Sequence, residues 1–256
     1  MEEKKLAGLE PGAVFEYFEA LCAIPHGSHN TKAISDFLAD FAKKQQIRYI
    51  QDESNNIILF ADGTCGLEDH EPVVLQGHMD MVCEKDEGCP IDMDTQGLDL
   101  CHDNLCVFAK GTTLGGDDGI AVAYAMALIA DRTIPHPPLE VIITVDEEVG
   151  MLGADVIDVS MLKGRKMINL DSEDEGIFTV ACAGGATATI SLNVNRKAVY
   201  GPCVRLCVDG LRGGHSGAEI HKNRANANKV MGEFMSRILK LMPLCLTSFS
   251  GGNKDN

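Results

Sequence analysis

The chain reads as an α/β protein: a mixed, largely parallel sheet with flanking helices, followed by a smaller α+β region. Three observations carry that reading. Short apolar runs rich in β-branched residues, Val73–Val82, Leu139–Val145 and Met167–Leu170, alternate with longer stretches whose apolar residues recur at helical spacing. Each run delivers an imidazole or acids at its end: His78 and Asp80, then Glu147 and Glu148, then Asp171. After Gly184-Gly185 the pattern changes to a one-faced alternation, with Thr187, Thr189, Ser191 and Asn193 opposite Ala188, Ile190, Leu192 and Val194. That change divides the chain into domains 1–184 and 185–256.

The elements follow in order. Glu10-Pro11 opens a helix with Val14, Phe15, Phe18, Leu21 and Cys22 on one face, and Ile24-Pro25 stops it. Pro25 to Asn30 is a turn-rich loop whose His26 and His29 read as loop polars. A second helix carries Ile34, Phe37, Leu38 and Phe41, with Lys43-Lys44 near its C-terminus, where cations suit the dipole. Ile47–Ile50 and Asn56–Phe60 read as short strands before the Val73–Val82 strand. Glu84–Leu105 is acidic and aperiodic, a long surface excursion. A glycine-rich loop then enters a helix over Ile120–Ile129, Leu139–Val145 is a buried strand, and Val156–Leu162 reads as helix. In the second region Ala186–Val194, Val204–Val208 and Leu244–Phe249 read as strands and Asn226–Met242 as a helix; His215 lies in the loop from Gly210 to His221.

Charge and composition exclude several functions. The chain has 256 residues and a formal net charge of −16, which repels nucleic acid and anionic membranes. It has no Trp and few aromatics, so it lacks stacking platforms for single-stranded nucleic acid. Its ten cysteines form no CxxC pair. With no charged-then-apolar opening segment and no apolar run of membrane-spanning length, the expected setting is the reducing cytoplasm. Cys101 and Cys106, flanking His102 and Asp103, could form half of a zinc site, but their spacing is at the wide edge for a knuckle and no second half is obvious.

The chemistry concentrates at the strand ends. In a strand, residues i and i+2 share a face, so His78 and Asp80 point together. A histidine and a carboxylate buried together must bond to each other or to a metal. A metal-ligating imidazole with an orienting carboxylate fits, as does a satisfied buried pair or a strand end facing water. Asp117-Asp118 at the mouth of a helix repels phosphate and suits a cation or a helix cap. The glycine-rich loop has neither Gly-Lys-Ser/Thr nor GxGxxG after a strand, so it is not a nucleotide loop. Ligands of such sheets bind outside the carboxyl ends of the strands, where these segments converge.

LQGHMDMV (75–82), GTTLGGDDGIAVA (111–123), TVDEEVGMLGA (144–154), INLDSEDEG (168–176) and LRGGHSGAEIHKNRANAN (211–228) occur in this order. Together they resemble the aminoacyl-histidine (Xaa-His) dipeptidase branch of the di-zinc aminopeptidase and carboxypeptidase superfamily. The resemblance implies an incomplete zinc-peptidase domain followed by the start of a lid domain. It implies that His78 and Asp171 hold one zinc, that Asp117 bridges to a second, and that Glu148 holds the second. It makes Glu147 the general base, Asp80 the orienter of His78, and His215 the lid residue that stabilises the oxyanion. It also implies a cis bond between Asp117 and Asp118.

Family members are longer, and their last histidine ligand has no counterpart here; neither His215 nor His221 matches it by motif. One zinc site is then complete and the other is one ligand short. Such carboxylate-rich sites also accept Mn or Co. The expected function is zinc-dependent hydrolysis of dipeptides of Xaa-His type through a bridging, metal-activated water, with a homodimer formed through the lid. The alternatives are a catalytically incompetent metal-binding or dimerisation fragment, or a related carboxypeptidase, tripeptidase or amide deacylase.

Overall fold

The computed structural model describes residues 4–103, 105–172, 175–182, 184, 188–213 and 220–252. The chain divides into two units, Met1–Thr179 and Val180–Asn256, and each is described by itself. The first begins with α1 (Gly12–Cys22) and α2 (Lys32–Gln45). Their inward residues, Val14, Phe18 and Leu21 on α1 and Ile34, Leu38 and Phe41 on α2, are those that helical spacing selects. Strands β1 (Arg48–Gln51), β2 (Ile57–Ala61) and β3 (Val73–His78) follow. A small hairpin, β4 (Leu100–His102) and β5 (Val107–Ala109), precedes α3 (Gly116–Ala130). The unit continues with β6 (Leu139–Thr144), α4 (Leu152–Val156) and β7 (Lys166–Asn169).

Five strands form one mixed sheet in the order β1-β2-β6-β3-β7. The β1–β2 and β2–β6 pairs are antiparallel; β6–β3 and β3–β7 are parallel. Ile57, Leu59, Leu75, Val141 and Ile143 join residues of α1, α2 and α3 in one apolar cluster against one face of the sheet. Helix α3 is apolar around most of its circumference and packs against both α1 and β3, which is why it needs no polar face. On the opposite face Glu140 is buried, and its carboxylate accepts the N–H groups of Lys163 (2.9 Å) and Gly164 (2.9 Å). The parallel register sets His78 opposite Thr144, and Gln76 opposite Asn169. The chain ends of β3, β6 and β7 therefore open at one edge.

The structure departs from the sequence reading at three places in this unit. Strand β3 ends at His78 rather than Val82; the Met79 N–H still donates to the Thr144 carbonyl (2.9 Å), and Met81 then bridges to Gly27 outside the sheet. The helix expected at Val156–Leu162 instead occupies Leu152–Val156, where the Gly153 N–H donates to the Val145 carbonyl (3.0 Å) and the Gly153 carbonyl accepts from Asn56 (3.1 Å), contacts with residues outside the helix. The excursion after Glu84 contains the β4–β5 hairpin, turned by Asp103, whose Oδ1 accepts the N–H groups of Leu105 (2.7 Å) and Cys106 (2.8 Å).

The second unit contains a short 3-10 turn, Ile220–Lys222, and helix α5 (Ala227–Ile238). The Asn226 side chain caps α5 by accepting the Lys229 N–H at 3.0 Å. The strands expected at 186–194, 204–208 and 244–249 are not formed among the described residues; Ala186 and Thr187 lie outside those residues. A strand exists through its ladder and a covered face, and the side chains of Ile190, Leu192, Val204 and Leu246 are exposed. Among the described residues no helix is long and apolar enough to cross a membrane.

Candidate metal centre

His78 closes β3 and is 1% exposed. Its Nδ1 lies 2.9 Å from the Asp80 carbonyl oxygen and 3.5 Å from Asp80 Oδ1. A carbonyl oxygen can only accept, so Nδ1 carries a proton, and Nε2 is the ring nitrogen turned toward the carboxylates. Nε2 faces Asp117 Oδ1 at 3.0 Å, Glu147 Oε2 at 3.9 Å and Asp171 Oδ2 at 3.9 Å. The three carboxylates come from the mouth of α3, the turn after β6 and the segment after β7.

Asp80 is buried and ties these segments together. Its carboxylate accepts from Ser28 Oγ (2.9 Å), the Glu147 N–H (3.0 Å) and the Glu148 N–H (3.4 Å). Burial works against its charge, but the bonds from His78, Glu147 and Ser28 outweigh burial and hold its pKa below the usual range. The turn after β6 has a second anchor in buried Asn56, whose Oδ1 accepts the Val145 N–H (3.0 Å) while Nδ2 donates to the Gly153 carbonyl (3.1 Å).

Helix α3 departs from helical geometry at Asp117 and Asp118, and the peptide between them is cis. The two carboxylates separate there. Asp117 is exposed toward Nε2, whereas Asp118 is buried and its Oδ2 accepts the His78 N–H at 3.2 Å. Burial pushes Asp118 up to about 7, with the nearby charges of Asp171 and Asp117 adding to the rise against the pull of His78. Burial and neighbouring carboxylates also raise Glu147 and Glu148, despite the opposing pull of His78. Burial disfavours charge on His78, yet its contacts with Asp117 and Asp80 prevail and push it up to about 11. A cluster that drives His78 toward the cation and Asp118, Glu147 and Glu148 toward neutrality is short of positive charge.

The donor atoms fit a divalent metal. His78, Asp117 and Glu148 bring one ligand atom each to within 4.8 Å of one another, and so do His78, Glu147 and Asp171. One imidazole with carboxylate oxygens suits zinc, manganese or cobalt. The family resemblance divides the ligands otherwise, with Asp171, Asp117 and His78 on one ion and Glu147 outside both sets. The structure brings all of these residues around Nε2 and includes Glu147 among the donors. His215 lies outside the described residues. Among the described residues, neither donor set includes Cys101, His102 or Cys106.

Sequence reasoning missed the supporting residues. Asp118, Ser28 and Asn56 act through backbone and carboxylate contacts that have no local signature. One signal was available for Asp118. Gly77 interrupts an apolar strand, and a Cβ there would lie 2.4 Å from Asp118 Oδ2. His26, read as a loop polar, is buried, with its Nδ1 at 2.5 Å from the Ile24 carbonyl oxygen.

Comparison with known proteins gives first the class, that of peptidases built on a mixed α/β sheet. The chain is similar to aminoacylhistidine dipeptidase from Vibrio alginolyticus, with a TM-score of 0.66 and 32% identity, over 90% of this chain and 47% of that one. The aminopeptidase PepT from Bacillus cereus ATCC 10987 shares the fold at a TM-score of 0.53 and 22% identity, over 63% of this chain and 43% of that one. The particular relationship is with the cytosol non-specific dipeptidase of Escherichia coli (strain K12). This chain is its homologue, 37% identical over 254 residues, which are 98% of this chain and 52% of the relative. The chain thus spans about half the length of the relatives it matches. No family model matches it.

Proposed function

We propose that this chain supplies the metal-binding machinery of a cytoplasmic, zinc-dependent dipeptidase, with residues 1–184 holding the metal and 185–256 forming a lid that also serves dimerisation. The observation that carries the proposal is the Nε2 of buried His78 facing carboxylates from three separate segments, where a metal ion would replace its proton. His78, Asp117, Glu148 and Asp171 are the ligands, and Asp80 fixes the tautomer and orientation of His78. Bound zinc, or manganese or cobalt in its place, supplies Lewis-acid polarisation of the peptide carbonyl and acidification of a water molecule.

Glu147 performs the proton transfers. Its raised proton affinity suits a base that takes a proton from water and returns it to the leaving amine as the C–N bond breaks. Asp80 holds the Glu147 backbone N–H, so the residue that orients the imidazole also positions the base. His215 stabilises the oxyanion from the lid. The substrates are dipeptides, Xaa-His among them, in keeping with the names of the two dipeptidase relatives.

A second reading, metal binding without turnover, is favoured by the donor count: His78 is the one imidazole in either donor set among the described residues. Metal content and hydrolysis of Xaa-His dipeptides, tripeptides and acylated amino acids, measured on the purified chain, separate the readings. The first requires metal-dependent dipeptide hydrolysis that Glu147→Gln lowers at least about a hundredfold with metal still bound. Turnover that survives this substitution overturns the assignment of Glu147. Metal that is bound equally well after Asp117→Ala overturns the centre itself.

A further inference from the structure

The loop between α1 and α2 belongs to neither donor set, yet it touches the site at two points. Its backbone is tied to the segment after β3: the Met81 N–H donates to the His26 carbonyl (3.1 Å), and the Ser28 N–H to the Met81 carbonyl (3.4 Å). Ser28 Oγ then donates to Asp80 Oδ2 at 2.9 Å. One residue on, the His29 N–H donates to Asp146 Oδ1 at 2.6 Å, and His29 Nδ1 lies 3.3 Å from Asp146 Oδ2. His29 (φ 67°) and Asp146 (φ 54°) both hold left-handed backbone without being glycine, and they hold it against each other. Asp146 immediately precedes Glu147 and Glu148.

We propose that this loop is a positioning element of the centre, and that the Ser28 hydroxyl fixes the Asp80 carboxylate and, through it, the Glu147–Glu148 backbone. The torsion of a carboxylate is soft, so its plane is set by what its two oxygens meet. In Asp80, Oδ1 takes the Glu147 N–H and faces His78 Nδ1; Oδ2 takes the Ser28 hydroxyl and the Glu148 N–H. Without the hydroxyl, Oδ2 keeps only the longer Glu148 bond, and the carboxylate rotates away from the geometry that serves Glu147 and His78 together. Ser28 belongs to neither of the two metal donor sets. The inference rests on reading the cluster as a metal centre.

The test uses the whole chain, with Ser28→Ala and Ser28→Thr beside the wild type. Hydrogen exchange of the Glu147 and Glu148 amides, measured without metal, reads the brace directly. Zinc affinity, by competition with a chromophoric chelator, reads its consequence. In Ser28→Ala, exchange at Glu147 and Glu148 accelerates about tenfold and zinc affinity falls about tenfold, the low end for loss of a group that orients a ligand. Exchange at Leu59 in β2 stays unchanged, and Ser28→Thr restores both readouts. Unchanged exchange at Glu147 and Glu148 overturns the proposal. So does an equal acceleration at Leu59, which marks a global loss of stability, or unchanged affinity in a chain that binds zinc. If the wild type takes no zinc, the metal reading fails, and the exchange measurement alone decides the brace. Should Ser28→Ala not fold, Ser28→Cys, which retains only a weak donor, replaces it with the same expectations.

Discussion

Replacing Asn56 by alanine is expected to loosen the turn that carries Glu147 and Glu148 and to cost the folded chain about 2–4 kcal/mol. Asn56 is 1% exposed. Its Oδ1 accepts the Val145 N–H (3.0 Å), and its Nδ2 donates to the Gly153 carbonyl (3.1 Å) and to Asp52 Oδ2 (2.8 Å). Truncation does not affect these partners equally. The Gly153 carbonyl keeps the Ile157 N–H at 3.1 Å. Asp52 keeps the backbone N–H groups of Ser54 and of residue 56. The buried Val145 N–H loses its acceptor, which costs roughly 1–3 kcal/mol. The lost packing of the amide adds about 1 kcal/mol more.

For a unit of this size each kcal/mol moves the melting temperature by about 2–4 °C, so a loss near 3 kcal/mol appears as a fall of roughly 6–12 °C. Thermal unfolding followed by circular dichroism measures it. Asn56→Asp adds a sharper comparison. It keeps size and acceptor but removes the donor, and it sets a second carboxylate where the amide met Asp52 at 2.8 Å. At neutral pH it should therefore be no more stable than Asn56→Ala. A fall below about 2 °C for the alanine variant, or wild-type stability for the aspartate variant, would refute this accounting.

Two further outcomes follow from close packing and burial. Gly77→Ala puts a methyl group 2.4 Å from Asp118 Oδ2 and 3.3 Å from the Ala121 Cβ; it should cost about 1–3 kcal/mol and weaken metal binding, and a wild-type melt with wild-type zinc affinity counts against the described approach of Asp118 to β3. Burial, with Glu19 nearby, pushes the Cys22 thiol up from 9.0 to about 12. The folded chain holds that proton while the unfolded chain releases it, so the thiol's contribution is intact below pH 9.0 and declines as pH rises toward about 12. The decline is about 1.4 kcal/mol per pH unit; urea midpoints between neutral and alkaline pH should show it, Cys22→Ala should flatten it, and an unchanged slope in the variant would refute the cause.

Strands β3 and β6 were legible because burial leaves them near-continuous apolar runs, and Glu147 and Glu148 stand out where the second run stops; β7 shows a short apolar run before Asp171 although its residues are exposed. The α1 and α2 faces were legible through burial as well: Leu21 and Leu38 recur at helical spacing and are buried. What could not be read depends on partners distant in sequence. The chain after the helix at Leu152–Val156 is held at Lys163-Gly164 by Glu140, more than twenty positions earlier. The alternating residues after Gly184 suggest strands, yet alternation specifies a face and not a neighbour to pair with. At the site, Asp117 and Asp118 were visible as a pair, but the burial of the second follows from the missing side chain of Gly77. Ser28 and Asn56 look like ordinary polar residues of a loop and a strand end.

The ligand-bearing residues are far apart along the chain: ninety-three positions separate His78 from Asp171. They meet only after β3 has paired with β6 on one side and β7 on the other, each across a long crossover. Such pairings are entropically late events in folding. The centre therefore forms late, and its carboxylates converge against their mutual repulsion. A divalent ion that stabilises this arrangement should act on the escape from the native state, slowing unfolding while leaving the refolding rate nearly unchanged.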